Sequence, residues 1–166
     1  MFLNEEQQTL ALEIATYLID HGETVAVAEA TAGGLISAAL LWVPGASKYY
    51  RGGGVVYTLD SRTALAGVPP DQYANYRGST PGMLASLAES MRQRLDATWC
   101  IAESGLAGPT RSRFGAPLGK VTISVAGPVE YTEVIETGLS DREANMIEFA
   151  THSLRILNSA IRAAGV

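Results

Sequence analysis

Val27 to Gly34 constrains the fold more than any other stretch: an apolar run ends on a carboxylate at Glu29, turns through small residues, and opens into a helical pattern. Thr24 to Ala28 reads as a buried strand, and Leu35, Ile36, Ala39 and Leu40 recur at helical spacing in a helix from about Gly33 to Val43, so Ala30 to Gly34 is a strand-to-helix turn. The first N–H groups of a helix lack partners and its dipole is positive there. A phosphate or oxyanion is therefore expected over Ala32 to Leu35, with Gly33 and Gly34 permitting close approach. The other reading of the two glycines is room for tight packing.

The remaining stretches supply partners for that unit. Asn4 is an N-cap before Glu5 and Glu6, and Leu10, Ala11, Ile14 and Leu18 form one helical face ending near Gly22, with His21 complementing the dipole. Pro44-Gly45 stops the second helix, and Gly52-Gly53-Gly54 leads into a strand expected over Gly54 to Thr58. The glycines mark either a bulge or a close approach of backbone or ligand. Leu59 to Leu65 reads as a short helix closed by Gly67, and Pro69-Pro70 begins an irregular stretch with Tyr73 and Tyr76. Ser79 or Thr80 caps a helix with Pro81 in its first turn and Leu84, Leu87, Ala88, Met91 and Leu95 as its buried stripe.

Thr98 to Ala102 is a strand leading into a small-residue loop, Glu103 to Pro109, and Thr110 to Gly119, with Arg111 and Arg113, reads as a mobile loop. Lys120 to Ala126 and Tyr131 to Thr137 alternate as an antiparallel hairpin. Ser140, with Glu143 three residues on, forms a capping box for a last helix near Asp141 to Ala164. That helix buries Ile147, Ala150, Leu154, Leu157 and Ile161, with His152 on a solvated face. Helices alternating with strands before a hairpin predict an α/β chain, a three-layer α/β/α sandwich around a mixed five- or six-stranded sheet. No linker divides the chain, and one domain over 1–166 is expected.

Composition narrows function. Across 166 residues, 47% are hydrophobic and 17% charged, which excludes disorder and suits a well-buried sheet. A net charge of −5 without a Lys or Arg stripe argues against nucleic acid. Cys100, the one cysteine, lies in an apolar run and reads as core, so disulfide and cysteine-metal sites are excluded. Met1 to Glu6 is acidic where a secretion signal would be basic, and no apolar run reaches the ~18 residues of a membrane span. A cytoplasmic location without membrane attachment is expected.

Several motifs fail on inspection. Gly115-Ala116-Pro117-Leu118-Gly119-Lys120 lacks the spacing, the following hydroxyl and the following helix of a P-loop. Neither a Gly-x-Gly-x-x-Gly pattern, a Gly-x-Ser-x-Gly elbow nor paired histidines occur, and no metal or cofactor is expected.

Ala28-Glu29 with Gly33-Gly34, Gly54-Val55-Val56-Tyr57-Thr58, Ser79 with Pro81, Ser104 to Pro109, Leu118-Gly119-Lys120-Val121 and Ser140-Asp141-Arg142 resemble, in order and spacing, the CinA C-terminal domain family. That family includes nicotinamide-mononucleotide deamidases. The resemblance implies a homodimeric α/β/α domain and hydrolysis of the nicotinamide amide by a serine nucleophile helped by a lysine. The family's Ala-Glu-Ser-Cys-Thr-Gly-Gly is here Ala28 to Gly34, with Ala30 at the serine and Ala32 at the later hydroxyl. Its lysine aligns with Arg62, a guanidinium that stays protonated and cannot act as base, and its acidic residue before the proline is Thr80. Catalytic candidates are then Glu29, Thr31, Arg62 and Tyr57. Ligand-binding candidates are Ala30, Ala32, Gly33, Gly34, Ser79, Ser104, Gly105, Ala107, Gly108 and Arg142, the last as a charge partner for an anion between Ala32 to Leu35 and the loop from Ser104 to Pro109.

Three readings follow. The first is a family member that binds a pyridine mononucleotide or similar small phosphorylated ligand with amidase activity weak or lost. The second is an active amidohydrolase that uses Thr31, or a water activated by Glu29 or Glu103. The third is a structural or partner-binding domain, with the tyrosines from Tyr49 to Tyr76 as an interface or as the lining of a cleft or core.

Overall fold

The computed structural model describes residues 1–165. Its elements are α1 (Glu5–His21), β1 (Val25–Glu29), α2 (Leu35–Trp42), β2 (Tyr50–Val55), α3 (Leu59–Ala66), α4 (Pro81–Arg94), β3 (Trp99–Gly105), β4 (Lys120–Ala126), β5 (Tyr131–Glu136) and α5 (Arg142–Ala164). Short 3-10 turns at Ala46–Lys48 and Pro70–Tyr73 flank β2 and follow α3. The five strands form one mixed sheet in the order β2-β1-β3-β4-β5, parallel across β2, β1 and β3 and antiparallel beyond.

Every residue of β1 is buried, because both sheet faces are covered. Val25 and Val27 join a core with Ile14 and Leu18 of α1, Ile36 and Leu40 of α2, and Phe149, Leu154 and Leu157 of α5. Ala26 and Ala28 point the other way, toward Leu84, Leu87 and Met91 of α4. The result is the α/β/α sandwich expected from the alternation. The first cap is also as expected: Asn4 Oδ1 accepts from the Gln7 amide at 2.8 Å while Gln7 Oε1 accepts from the Asn4 amide at 3.1 Å.

Several boundaries differ. The second strand runs through the three glycines and ends at Val55; Thr58 lies outside it and caps α3, accepting from the Ser61 amide at 3.1 Å. The glycines answer to a close approach of backbone, since a Cβ at Gly53 would collide with the Val27 carbonyl. Helix α2 begins at Leu35, after Gly34 at φ 103°, a conformation that favours glycine. Strand β3 continues through Glu103 and Ser104 to Gly105, which the sequence reads as loop. Asp141 rather than Ser140 caps α5, accepting from the Ala144 amide at 2.9 Å. Ile147 is 36% exposed, and His152 is half-buried.

Candidate functional site

The carboxyl ends of β1 and β3 bring Glu29 and Glu103 side by side as register partners, both fully buried. Glu29 Oε1 accepts from the amides of Gly34 at 2.8 Å and Ile36 at 3.1 Å, and Oε2 from Ser37 at 2.9 Å. Glu103 Oε1 accepts from the amides of Ala30 and Ala32, each at 3.0 Å. The unpaired N–H groups of the turn and of the first turn of α2 therefore meet the chain's own carboxylates. The amides expected to hold an anion over Ala32 to Leu35 are already used, Ala32 by Glu103, Gly34 by Glu29, and Gly33 and Leu35 by the carbonyls of Ala30 and Ala32. Glu29 is fully buried, and both of its oxygens accept from backbone amides.

The other turn residues serve packing. Ala30 and Ala32 are buried, and a Cβ at Gly33 would meet Met146 of α5 at 3.0 Å. The Thr31 hydroxyl donates to the Gly105 carbonyl at 2.7 Å and accepts from the Gly105 amide at 3.0 Å, tying the end of β1 to that of β3. Tyr57 is 57% exposed and turned to solvent. Arg142 Nη1 donates to the Gly108 carbonyl at 2.6 Å, and Asn145 Nδ2 to the Ala107 carbonyl at 2.9 Å, so these two hold the loop. Arg142 thus stands outside the cavity described next.

Beyond the turn lies a cavity of about 560 Å³ between the segment from Asn75 to Thr80, the end of β3, the start of β4 and the loop around Arg113. Among the described residues Arg77, Arg113 and Lys120 line it, and neither an aspartate nor a glutamate does. Ser104 and Thr122 are cross-strand partners on its floor, with Lys120 two residues from Thr122 on the same face. Phe114 sits at the rim between two guanidinium groups, with Arg77 5.1 Å and Arg113 5.7 Å from its ring centre.

A row of hydroxyls leads inward. Tyr76 and Ser79 share a hydrogen bond at 3.1 Å, and Ser79 donates to Ser104 Oγ at 3.1 Å. Ser104 Oγ also accepts from Nη2 of the buried Arg62 at 2.9 Å. Arg62 Nε donates to the Val56 carbonyl at 3.2 Å, Nη1 has no partner, and the guanidinium lies 6.0 Å from the Tyr73 ring centre. Burial pushes the Glu103 carboxyl up to about 7, against the pull of the Ala32 and Ala30 amides. Burial likewise raises the Cys100 thiol and the Tyr73 phenol, and lowers His152.

The CinA C-terminal domain model matches residues 7–161. The chain belongs to the CinA C-terminal domain family. It is 37% identical over 134 residues to a CinA-like protein of Gloeobacter violaceus, an overlap of 81% of this chain and 31% of that protein. It therefore spans about a third of that curated relative's length. A CinA superfamily protein from Enterobacter cloacae superposes with a TM-score of 0.86 at 26% identity, covering 93% of this chain and 92% of that one. The competence/damage inducible protein CihA from Agrobacterium tumefaciens superposes at 0.89 with 24% identity, covering 100% and 99%; this likeness is one of fold.

Ala30 presents only a methyl group at the turn, and the Arg62 side chain reaches Ser104. Tyr76, Arg77, Phe114, Lys120 and Thr122 line the cavity without belonging to any catalytic or binding motif of the sequence. One signal was available: Ser104 to Val129 holds three cations and no acid in a chain of net charge −5. Among the described residues, no cluster of His, Cys, Asp and Glu could hold a metal, and no helix is long and apolar enough to cross a membrane.

Proposed function

We propose that this CinA C-terminal domain binds a pyridine mononucleotide or similar small phosphorylated ligand in the cavity beside Ser104, with amide hydrolysis weak or lost. The observation that carries this reading is the charge of the lining: three cations and no carboxylate, in an acidic chain. A cleft lined by one sign of charge concentrates ligands of the opposite sign. Guanidinium and ammonium groups suit a phosphate, the Phe114 and Tyr76 rings suit a planar base, and the volume falls in the range of small-molecule sites.

The loss of hydrolysis rests on the chemical groups. Ala30 carries no hydroxyl, the guanidinium of Arg62 is no base, and the Thr31 hydroxyl is occupied in both directions by Gly105. These arrangements speak against hydrolysis by Ala30, Arg62 or Thr31. The test is a calorimetric titration with nicotinamide mononucleotide in which ammonia is assayed in the same sample. Binding without ammonia is expected; ammonia release at many turnovers contradicts the loss of activity, and the absence of binding contradicts the ligand.

A further inference from the structure

Ser104 occupies an unusual electrostatic position. Its Oγ accepts from Arg62 Nη2 and from Ser79 Oγ, so both lone pairs are used and its own proton is left to donate. The residue is 9% exposed and lines the cavity. Behind it, Arg62 is 2% exposed and makes no ion pair among the described residues, and its Nη1 is unpartnered. The neighbouring Glu103 feels the Arg62 charge but makes no hydrogen bond to it, directing Oε1 to the amides of Ala30 and Ala32 and leaving Oε2 without a partner. A buried cation without a paired carboxylate is costly, and an anion arriving nearby relieves that cost.

We propose that the cavity selects phosphorylated ligands that also carry a carboxylate, with Ser104 donating to the carboxylate and Arg62 acting through Ser104 as the positioning residue. This inference rests on the ligand reading above and adds a preference for the acid over the corresponding amide. A carboxylate takes the Ser104 proton in a charge-assisted hydrogen bond and lies one bond from the guanidinium charge. A carboxamide accepts the same proton as a neutral group, and its own N–H donors find no carboxylate in the lining.

The experiment is a calorimetric comparison of two probes that differ only at this group, nicotinate mononucleotide and nicotinamide mononucleotide, on the full chain. The acid is expected to bind about tenfold or more tightly, the usual margin between charge-assisted and neutral hydrogen bonds. Ser104→Ala and Arg62→Gln are each expected to bring that ratio close to one, while Arg62→Lys, which keeps the charge, retains a preference for the acid. Because Arg62 is buried and its Gln variant can fail to fold, the Ser104→Ala ratio decides on its own. Equal affinities in the native protein, tighter binding of the amide, or a ratio unchanged in Ser104→Ala overturns the inference while leaving a phosphorylated ligand intact. Failure of both probes to bind overturns the proposed function and this inference with it.

Discussion

The Glu29 carboxylate accepts the backbone N–H of Gly34 at 2.8 Å, so the last residue of β1 closes the N-terminus of the helix that follows it. With Ile36 and Ser37 it satisfies three amides that would otherwise be orphaned. Glu29→Ala is therefore expected to destabilise the fold by about 3–5 kcal/mol in urea denaturation, because several donors and a built-in counter-charge are lost together. A loss under about 1 kcal/mol would show that water replaces the carboxylate there.

Stability should fall with rising pH through Glu103. Burial raises this carboxyl to about 7, above the ordinary value of about 4.3 that it takes in the unfolded chain. The folded state then binds the extra proton, so the contribution is fully present below about pH 4.3 and is lost as pH rises through about 7. Glu103→Gln keeps an acceptor for the Ala30 and Ala32 amides and cannot titrate. Between about pH 4.5 and about pH 8 the native protein is expected to lose about 3 kcal/mol relative to this variant. Parallel stability curves would contradict it.

Thr31→Val should act on stability and leave chemistry untouched. Removing the hydroxyl leaves the amide and carbonyl of Gly105 without their partner, at a cost of about 1–3 kcal/mol by thermal or urea unfolding. If the native protein released ammonia and this variant did not, the hydroxyl would be a nucleophile instead.

Supplying a hydroxyl at residue 30 and an amine at residue 62 tests the proposed loss of hydrolysis. Ala30→Ser with Arg62→Lys is expected to raise ammonia release from nicotinamide mononucleotide by orders of magnitude over the native protein, with little gain from either change alone, since nucleophile and base act as a unit. A double variant as inert as the native chain would show that the cleft has diverged beyond these two positions.

Much of the fold is written in local patterns, and the site is not. The apolar runs of β1, β3 and β4 and the periodic stripes of α1, α4 and α5 are signals within single segments. The second strand is misplaced because Gly52 to Gly54 carries no side-chain pattern; its register is dictated by the Val27 backbone across the sheet. Glu29 reads as the end of a strand, and nothing local says that its side chain folds onto the helix to come. The cavity's cations arrive from three segments, Arg77 before α4, Arg113 in the long loop and Lys120 at the start of β4, and only the sheet pairing of β3 with β4 gathers them.

If these cations hold a phosphorylated ligand in the cavity, neutralising them weakens its binding. The most direct measurement is a titration of nicotinate mononucleotide into the native protein and into an Arg113→Gln, Lys120→Gln double variant, two changes at exposed or half-buried positions. The native chain is expected to saturate at a single site whose affinity falls with added salt, and the variant to bind at least about tenfold more weakly. Unchanged affinity in the double variant, or a native protein that never saturates, would contradict the account.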